Sequence, residues 1–309
     1  MDRPVEIAPG ETVLEALLRA GIDAPSSCRT GNCQTCLRRA VQGTPPAESQ
    51  NGLTEAQKAM GYFLPCICRP SSPLNVAPPD DAGARLPATV RSVEALAQDV
   101  VRLRIETEAF PYRPGQFLKL IASDGLERHY SIASHPEEDP FLEMHIRLHP
   151  GGRMSRHVME IAKGHRLHVA GPLGTCFYEG VDKDQPLALI GAGTGLAPLY
   201  GVLRDALRQG HRGPIRLYHG ARERKGLYLR EELEALARAR DNFDYAPASL
   251  DTGGDLAALA LEAETQRASR TAYFLCGGEN LVKRLKRDLF MSGASMKAIR
   301  SDVFSPASL

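Results

Sequence analysis

The sequence predicts a multidomain α/β and β chain: a small cysteine-loop domain, an antiparallel β-barrel, and a doubly wound parallel α/β domain. Three observations carry this. Cys28, Cys33 and Cys36 crowd into one loop, and Cys66 comes after a gap of 29 residues. From Ala88 onward, short alternating strands are separated by turn residues. From Leu187, apolar runs alternate with helical patterns. A length of 309 residues leaves room for two or three domains, each able to bury a core.

The stretch Cys28-Arg-Thr-Gly-Asn-Cys33-Gln-Thr-Cys36 has the C-x₄-C-x₂-C spacing of plant-type 2Fe–2S sites. Two sulfide-bridged irons need four thiolates aimed into one pocket, and a tight loop supplies only three. Gly31 stands mid-loop, where the backbone must bend sharply and its N–H groups can turn towards sulfur. A zinc ribbon would want paired C-x₂-C knuckles, and one such pair is present. Cys66 is the expected fourth ligand on spacing. Cys68 is the alternative, otherwise a small buried filler; if the segment is a strand, the two share a face.

Around the cysteines, Thr12-Val-Leu-Glu15 is a capping box. It opens a helix with Val13, Leu14, Leu17 and Leu18 on one face and Gly21 as its stop. That helix is expected to pack under the cysteine loop. Leu37 to Val41 reads as a strand, Thr54-Glu-Ala-Gln57 starts a short second helix, and Phe63 and Leu64 lead into Cys66. Pro70 to Pro87, turn-rich and poor in apolar residues, reads as a linker.

The barrel strands are Val100 to Ile105, Phe117 to Ile121, Phe141 to Leu148 and Leu167 to Val169. Two motifs interrupt them. Arg128-His-Tyr130-Ser131-Ile-Ala-Ser134 closes one strand, and Gly151-Gly152-Arg-Met154-Ser155 opens a helix. In the last domain, Leu187 to Ile190, Ile215 to Tyr218 and Tyr273 to Leu275 are buried strands. Ala197 to Gln209 and Leu229 to Arg240 are helices. The first strand runs into Gly191-Ala-Gly193-Thr194-Gly195-Leu-Ala-Pro198, a glycine turn before a helix, where phosphates can approach bare N–H groups. The spacing differs from G-x-G-x-x-G, so the turn alone is a weak signal. Phe274-Leu-Cys276-Gly277-Gly278 ends a later strand.

Net charge is +1, so no field draws the chain to nucleic acid or an anionic membrane. Seven cysteines are too few for a disulfide scaffold, and a thiolate-held cluster fits a reducing cytosol. Residues 1 to 25 carry charges and have no apolar signal core. No apolar run approaches the ~18 residues of a membrane helix. A cytoplasmic protein without membrane or nucleic-acid contacts is expected. His129, His135, His145, His149, His157, His165 and His168 gather in the barrel without metal spacing and are expected at solvated or turn positions.

The cysteine loop and the remainder of the sequence resemble the bacterial oxygenase reductases, over essentially the whole chain. The two barrel motifs resemble the flavin motifs of the ferredoxin–NADP reductase superfamily, and the glycine turn resembles its nicotinamide loop. The resemblance implies a β-grasp ferredoxin domain over 1–78, an FAD-binding barrel over 86–180 and an NAD(P)-binding domain over 184–309. Its first strand is expected to be missing or very short, because Val5 to Ile7, the second strand, is succeeded at once by Pro9-Gly10. Gln34 stands where many relatives have glycine, so the loop is expected to be tuned differently.

The implied roles track residue chemistry. Tyr130 offers an aromatic platform and Ser131 a hydroxyl near flavin N5. The Arg128 guanidinium suits the pyrophosphate, as do the N–H groups around Gly151, Gly152, Met154 and Ser155. FAD is favoured over FMN by the domain order. Cys276, Gly277 and Gly278 line the nicotinamide pocket, and Phe304 covers the flavin edge. Arg222, Arg224 and Lys225 could grip a 2′-phosphate, yet relatives with this order mostly take NADH; NADPH stays open. The implied activity is an NADH-dependent reductase component passing electrons through FAD and a 2Fe–2S cluster to a partner oxygenase, an aromatic-ring dioxygenase or monooxygenase. The chain is also similar to CDP-6-deoxy-glucoseen reductases. A deoxysugar dehydrase acceptor is therefore an alternative, as is an electron-transfer subunit that does not oxidise nicotinamide. A monomer meeting its acceptor transiently is expected.

Overall fold

The computed structural model describes residues 4–31, 34–81, 83–108 and 110–304. The chain divides into two compact units, 1–81 and 82–309.

In the first unit, helix starts lie where capping chemistry puts them. Thr12 caps α1 (Val13–Arg19): its hydroxyl accepts from the Glu15 amide, and the Glu15 carboxylate accepts from the Thr12 amide at 2.8 Å. Val13 and Leu14 turn inward, and Gly21 leaves the helix at φ +74°. β1 (Arg38–Gln42) precedes α2 (Glu55–Ala59), capped the same way by Thr54 and Gln57, and β2 (Tyr62–Phe63). β3 (Asn75–Ala77) completes a three-stranded sheet in the order β2-β1-β3.

Two expectations fail here. Val5 to Ile7 is not a strand: residues 4–8 join no ladder among the described residues. Side chains rather than a neighbouring strand hold this segment: the Glu6 carbonyl accepts from Arg19 at 2.6 Å and the Ala8 amide donates to the Glu11 carboxylate at 2.8 Å. The stretch read as a linker, Pro70 to Pro87, holds β3 and the start of β4 (Leu86–Ala97). These strand ends are held by backbone pairing, with Arg39 opposite Ala77 and Leu86 opposite Val169, so low apolar content did not announce them.

The second unit opens with β4, β5 (Val100–Thr107), β6 (Phe117–Ile121), β7 (Glu127–Ser131) and β8 (Leu142–Arg147). Helix α3 (Arg153–Glu160) and β9 (Arg166–Leu173) come after them. The strands form one antiparallel sheet in the order β7-β6-β9-β4-β5-β8, and a bridge between Ile132 and Met144 joins its two ends into a barrel. Inward positions such as Val90, Leu103, Leu118, Met144 and Val169 fill it.

Next come β10 (Leu187–Ala192), α4 (Leu196–Arg208), β11 (Ile215–Ala221), α5 (Arg230–Ala239) and β12 (Phe243–Ser249). α6 (Leu256–Glu264), β13 (Ala272–Gly278), α7 (Glu279–Met291) and β14 (Ile299–Phe304) complete the unit. The five strands are parallel in the order β12-β11-β10-β13-β14. Helices bury both faces, one core built on Leu189, Leu199 and Phe274, the other on Ile190, Tyr273 and Leu285. The strand order reverses between β10 and β13, which places a crevice at their carboxyl ends.

One barrel histidine corrects the expectation of solvated or turn positions: His145, within β8, is only 3% exposed, whereas His135 is equally buried but opens a turn, its carbonyl accepting from the Glu138 and Asp139 amides. Burial is tolerated because each has a polar partner. His145 Nε2 lies 3.0 Å from the Glu143 carboxylate and its Nδ1 3.2 Å from the Tyr228 hydroxyl; desolvation lowers its pKa. His135 Nε2 faces Asp205 at 3.5 Å.

Candidate functional site

In the first unit the cysteines separate by environment. Cys36 and Cys66 share a core cluster with Leu14, Leu53 and Leu64, and their thiols hydrogen-bond. Residues 65–67 form a 3₁₀ turn rather than a strand, so Cys68 does not share Cys66's surroundings. Cys68 is fully buried beside Val13 and Phe63, its thiol bonded to Ser49 and its carbonyl accepting from the Val13 amide at 2.9 Å. Cys28 is exposed, and the Thr30 amide donates to its sulfur at 3.5 Å. Gly31 turns at φ +82°, and a Cβ there would strike the Ile67 side chain. Cys33 lies outside the described residues.

Among the described residues, no three His, Cys, Asp or Glu side chains converge closely enough to hold an ion. The donor set nonetheless suits a thiolate-held cluster: Cys36 and Cys66 are adjacent, and a backbone N–H is already aimed at the Cys28 sulfur. The departure at Gln34 has a structural counterpart. Its φ of +58° is the left-handed conformation glycine adopts easily. Its side chain offsets that strain by donating to the Gly52 carbonyl and accepting from Gln57, each at 3.3 Å.

In the second unit, Arg128 and Tyr130 alternate with His129 along β7, which puts both on one face. Arg128 donates to the Glu127 carbonyl at 2.8 Å, and burial pushes the Tyr130 phenol up to about 12. Gly152 is the N-cap of α3, and no side chain caps the helix there. The Ser155 hydroxyl instead accepts from the His149 amide at 2.8 Å, while Met154 packs into the barrel core. α4 and α7 also start on glycines, Gly195 and Gly278, without side-chain caps. By contrast α1, α2 and α6 are capped by Thr12, Thr54 and Asp255; α5, with Leu229 at its N-cap, is the other uncapped helix. Two of these glycine starts, Gly152 and Gly195, fall at the motifs expected to take phosphates, where bare N–H groups suit an anion; Gly278 belongs to the segment expected to line the nicotinamide pocket.

The glycine turn is tightly packed. A Cβ at Gly191 would come within 3.0 Å of Leu199, one at Gly193 within 3.0 Å of Arg147, and one at Gly195 within 3.0 Å of the Cys276 backbone. Thr194 and Pro198 complete the turn and the first turn of α4. In the parallel ladder Gly191 lies opposite Cys276, and Cys276 opposite Asp302. Gly278 pairs with Phe304, the last described residue. A Cβ at Gly278 would meet open space, which leaves approach to the crevice clear.

Asp302 was not legible in the sequence. The Ser131 hydroxyl donates to its Oδ2 at 2.9 Å, joining the flavin motif of the barrel to the edge strand of the sheet. Desolvation pushes the Asp302 carboxyl from 3.8 up to about 6, against the opposing pull of Ser131. Since the folded carboxyl keeps its proton to higher pH than the unfolded one, the stability contributed by Asp302 is lost as pH rises from about 4 to 6 and the loss levels off at higher pH. Unfolding of flavin-free wild type and Asp302→Asn at pH 4.5 and 7.5 checks this. The substitution should gain roughly 1–3 kcal/mol relative to wild type between the two pH values. An equal difference at both refutes the assignment.

At the carboxyl ends of β11 and β12 a cleft of about 600 Å³ is lined by Arg224, Arg230, Ser249, Thr252 and Asp255. The Asp251 carboxylate accepts from the Arg224 amide at 3.0 Å, and Lys225 pairs with Glu223 at 2.9 Å. Arg222 is exposed. A lone carboxylate such as Asp251, in a polar loop, gave no sequence signal.

An antiparallel flavin-type barrel with a parallel dinucleotide sheet, behind a cysteine-loop domain, defines an iron–sulfur flavoprotein oxidoreductase. Comparison with known proteins agrees. Residues 2–71 match the 2Fe-2S iron-sulfur cluster binding domain, residues 87–178 the oxidoreductase FAD-binding domain, and residues 189–287 the oxidoreductase NAD-binding domain. The reductase subunit of an aromatic O-demethylase from Amycolatopsis sp. is 32% identical, over 99% of this chain and 97% of the relative. Reductase component 2 of terephthalate 1,2-dioxygenase from Comamonas sp. is 31% identical, over 96% and 93%. The crystal structure of the Amycolatopsis cytochrome P450 reductase GcoB superposes with a TM-score of 0.70 at 31% identity, covering 99% of this chain and 98% of that one. The chain belongs to the family of oxygenase reductases that join 2Fe–2S, FAD-binding and NAD-binding domains. No helix among the described residues is long and apolar enough to cross a membrane.

Proposed function

We propose that this chain is the reductase component of an oxygenase system, taking electrons from NADH and delivering them through FAD and a 2Fe–2S cluster to a partner oxygenase. The observation that carries the reading is the row Gly191, Cys276 and Asp302 across adjacent strands, with Asp302 hydrogen-bonded to Ser131 of the flavin motif. Nicotinamide and flavin motifs thus meet at one place. When bound, the flavin divides the two electrons of a hydride into single deliveries that the cluster can carry.

The protein's own part is binding, orientation and proton control, divided among segments 1–78, 86–180 and 184–309. Arg128 and the N-terminus of α3 at Gly151 and Gly152 bind the flavin pyrophosphate, with Met154 and Ser155 fixing that helix on the barrel. Tyr130 supports the ring. Ser131 presents its hydroxyl, and Asp302 holds or releases a proton at that hydrogen bond. Gly193, Thr194, Gly195 and Pro198 admit the dinucleotide backbone, while Cys276, Gly277 and Gly278 shape the nicotinamide pocket and Phe304 covers the flavin edge. Cys28, Cys33, Cys36 and Cys66 hold the cluster.

NADH is favoured over NADPH because Asp255 and Glu262 place carboxylates at the cleft and Glu223 neutralises Lys225. One like-charge contact of ~1.4 kcal/mol amounts to about tenfold. The partner is an oxygenase met transiently by a monomer in the cytoplasm; relatives named for an O-demethylase and for a dioxygenase support either type of acceptor. Anaerobic addition of NADH to the holoprotein should bleach flavin and iron–sulfur absorption, with NADPH about tenfold less effective. If neither nucleotide bleaches either chromophore, the reading is wrong.

A further inference from the structure

The reading of Cys276 as a nicotinamide-pocket residue leaves open what fixes its thiol. Its backbone is immobile: β13 is buried along six of its seven residues, and Cys276 is paired on one side with Gly191 and on the other with Asp302. The remaining freedom is rotation of the side chain and of its S–H. Cys276 is 0% exposed, and its Sγ lies 3.6 Å from the Sγ of Cys176, itself 2% exposed.

Cys176 belongs to neither strand system. It sits three residues beyond β9, on the segment that carries the chain from the barrel to β10. That segment is clamped at several points. A Cβ on Gly115 would come within 3.0 Å of the Cys176 carbonyl. The Arg113 guanidinium stacks 5.0 Å from the Phe177 ring and pairs with Glu179. Arg300 donates to the Glu179 carbonyl at 2.7 Å. Cys176 is therefore a fixed reference against which a neighbour can be oriented. In a dry apolar core a thiol finds few partners, and a weak S–H donor goes to whatever sulfur or oxygen is within reach. Here that is the other sulfur.

We propose that Cys176 is a positioning residue for Cys276: its sulfur, held by the barrel-to-sheet segment, accepts the hydrogen bond of the Cys276 S–H and fixes the orientation of that thiol in the wall of the nicotinamide pocket. The proposal rests on the reductase function proposed for the chain. It predicts more than packing does, because an alanine fills nearly the same space without the hydrogen bond, whereas a serine keeps it.

Two measurements decide it. In flavin-free protein, the infrared S–H stretch of Cys276, identified by its loss in Cys276→Ala, should move to the position of an unbonded thiol in Cys176→Ala and stay shifted in Cys176→Ser. In holoprotein, anaerobic flavin bleaching by saturating NADH should slow about fivefold in Cys176→Ala, the size of one weak hydrogen bond. The KM for NADH should change less than twofold, Cys176→Ser should restore most of the rate, and Cys176→Ala should add nothing in the Cys276→Ala background. A band that does not move, or a rate loss equal in both backgrounds, overturns the proposal while leaving the reductase reading intact. Unsubstituted holoprotein that fails to bleach overturns both.

Discussion

Cys66→Ser leaves the protein without 2Fe–2S absorption after anaerobic reconstitution, while Cys68→Ser keeps it. The two cysteines are separated by one residue, so spacing alone discriminates weakly. Their surroundings discriminate strongly: Cys66 hydrogen-bonds the thiol of Cys36 within one core, and Cys68 lies in another, against Val13 and Phe63. The turn at 65–67 sends the two side chains to different places. Removing one of the four proposed thiolates deprives the irons of a ligand that no other described cysteine is placed to replace. Cys68→Ser puts a hydroxyl in an apolar site already supplied with a Ser49 partner, at a cost of about 1–3 kcal/mol of stability. Visible absorption and electron paramagnetic resonance of the reduced proteins separate the cases. The reverse pattern assigns the ligand to Cys68.

Gly195→Ala suppresses NADH-driven flavin bleaching by about a hundredfold or more. The added Cβ would stand within 3.0 Å of both the carbonyl oxygen and carbon of Cys276. Neither can yield, since Cys276 is held in the parallel ladder between Gly191 and Asp302. Strain of about 1–3 kcal/mol must then move the turn, the start of α4 or the Cys276 segment. All three belong to the proposed nicotinamide site, and misplacement by about 1 Å near reacting groups can cost a hundredfold. Gly226→Ala is the control: its Cβ would make an ordinary 3.4 Å contact with Ala221. Stopped-flow absorbance gives both rates. A Gly195→Ala protein as fast as the Gly226→Ala control would show that the turn has slack.

Much of the fold was legible because the sequence carries local constraints. Capping boxes at Thr12 and Thr54, period-two strands in the barrel and apolar strands before helices each reflect a requirement within a few residues. Elements held by partners were harder to see. β3 and the start of β4 look like linker because backbone pairing sustains them, and Val5 to Ile7 looks like a strand yet has no mate among the described residues. β12 and β14 carry charged or proline residues that mask their strand pattern.

The site divides in the same way. Ligand spacing and glycine turns are chemical patterns that survive in one dimension. Asp302 acquires meaning only opposite Cys276 and beside Ser131, and Cys176 only beside a residue 100 positions away. His145 reads as one of many surface histidines until Glu143 and Tyr228 enclose it.

The hydrogen bond between Ser131 and Asp302 spans 171 positions of the chain. Closing so large a loop is entropically slow, whereas neighbouring strands find each other quickly. During folding, the barrel and the inner strands of the sheet can therefore collapse first, with most of the secondary structure in place. The edge strand that carries Asp302 pairs with β13, its near neighbour in the chain, so it is the docking of barrel on sheet that brings Asp302 to Ser131. The acid–hydroxyl pair thus works as a built-in marker of completed assembly, absent from any half-joined intermediate however native its backbone looks.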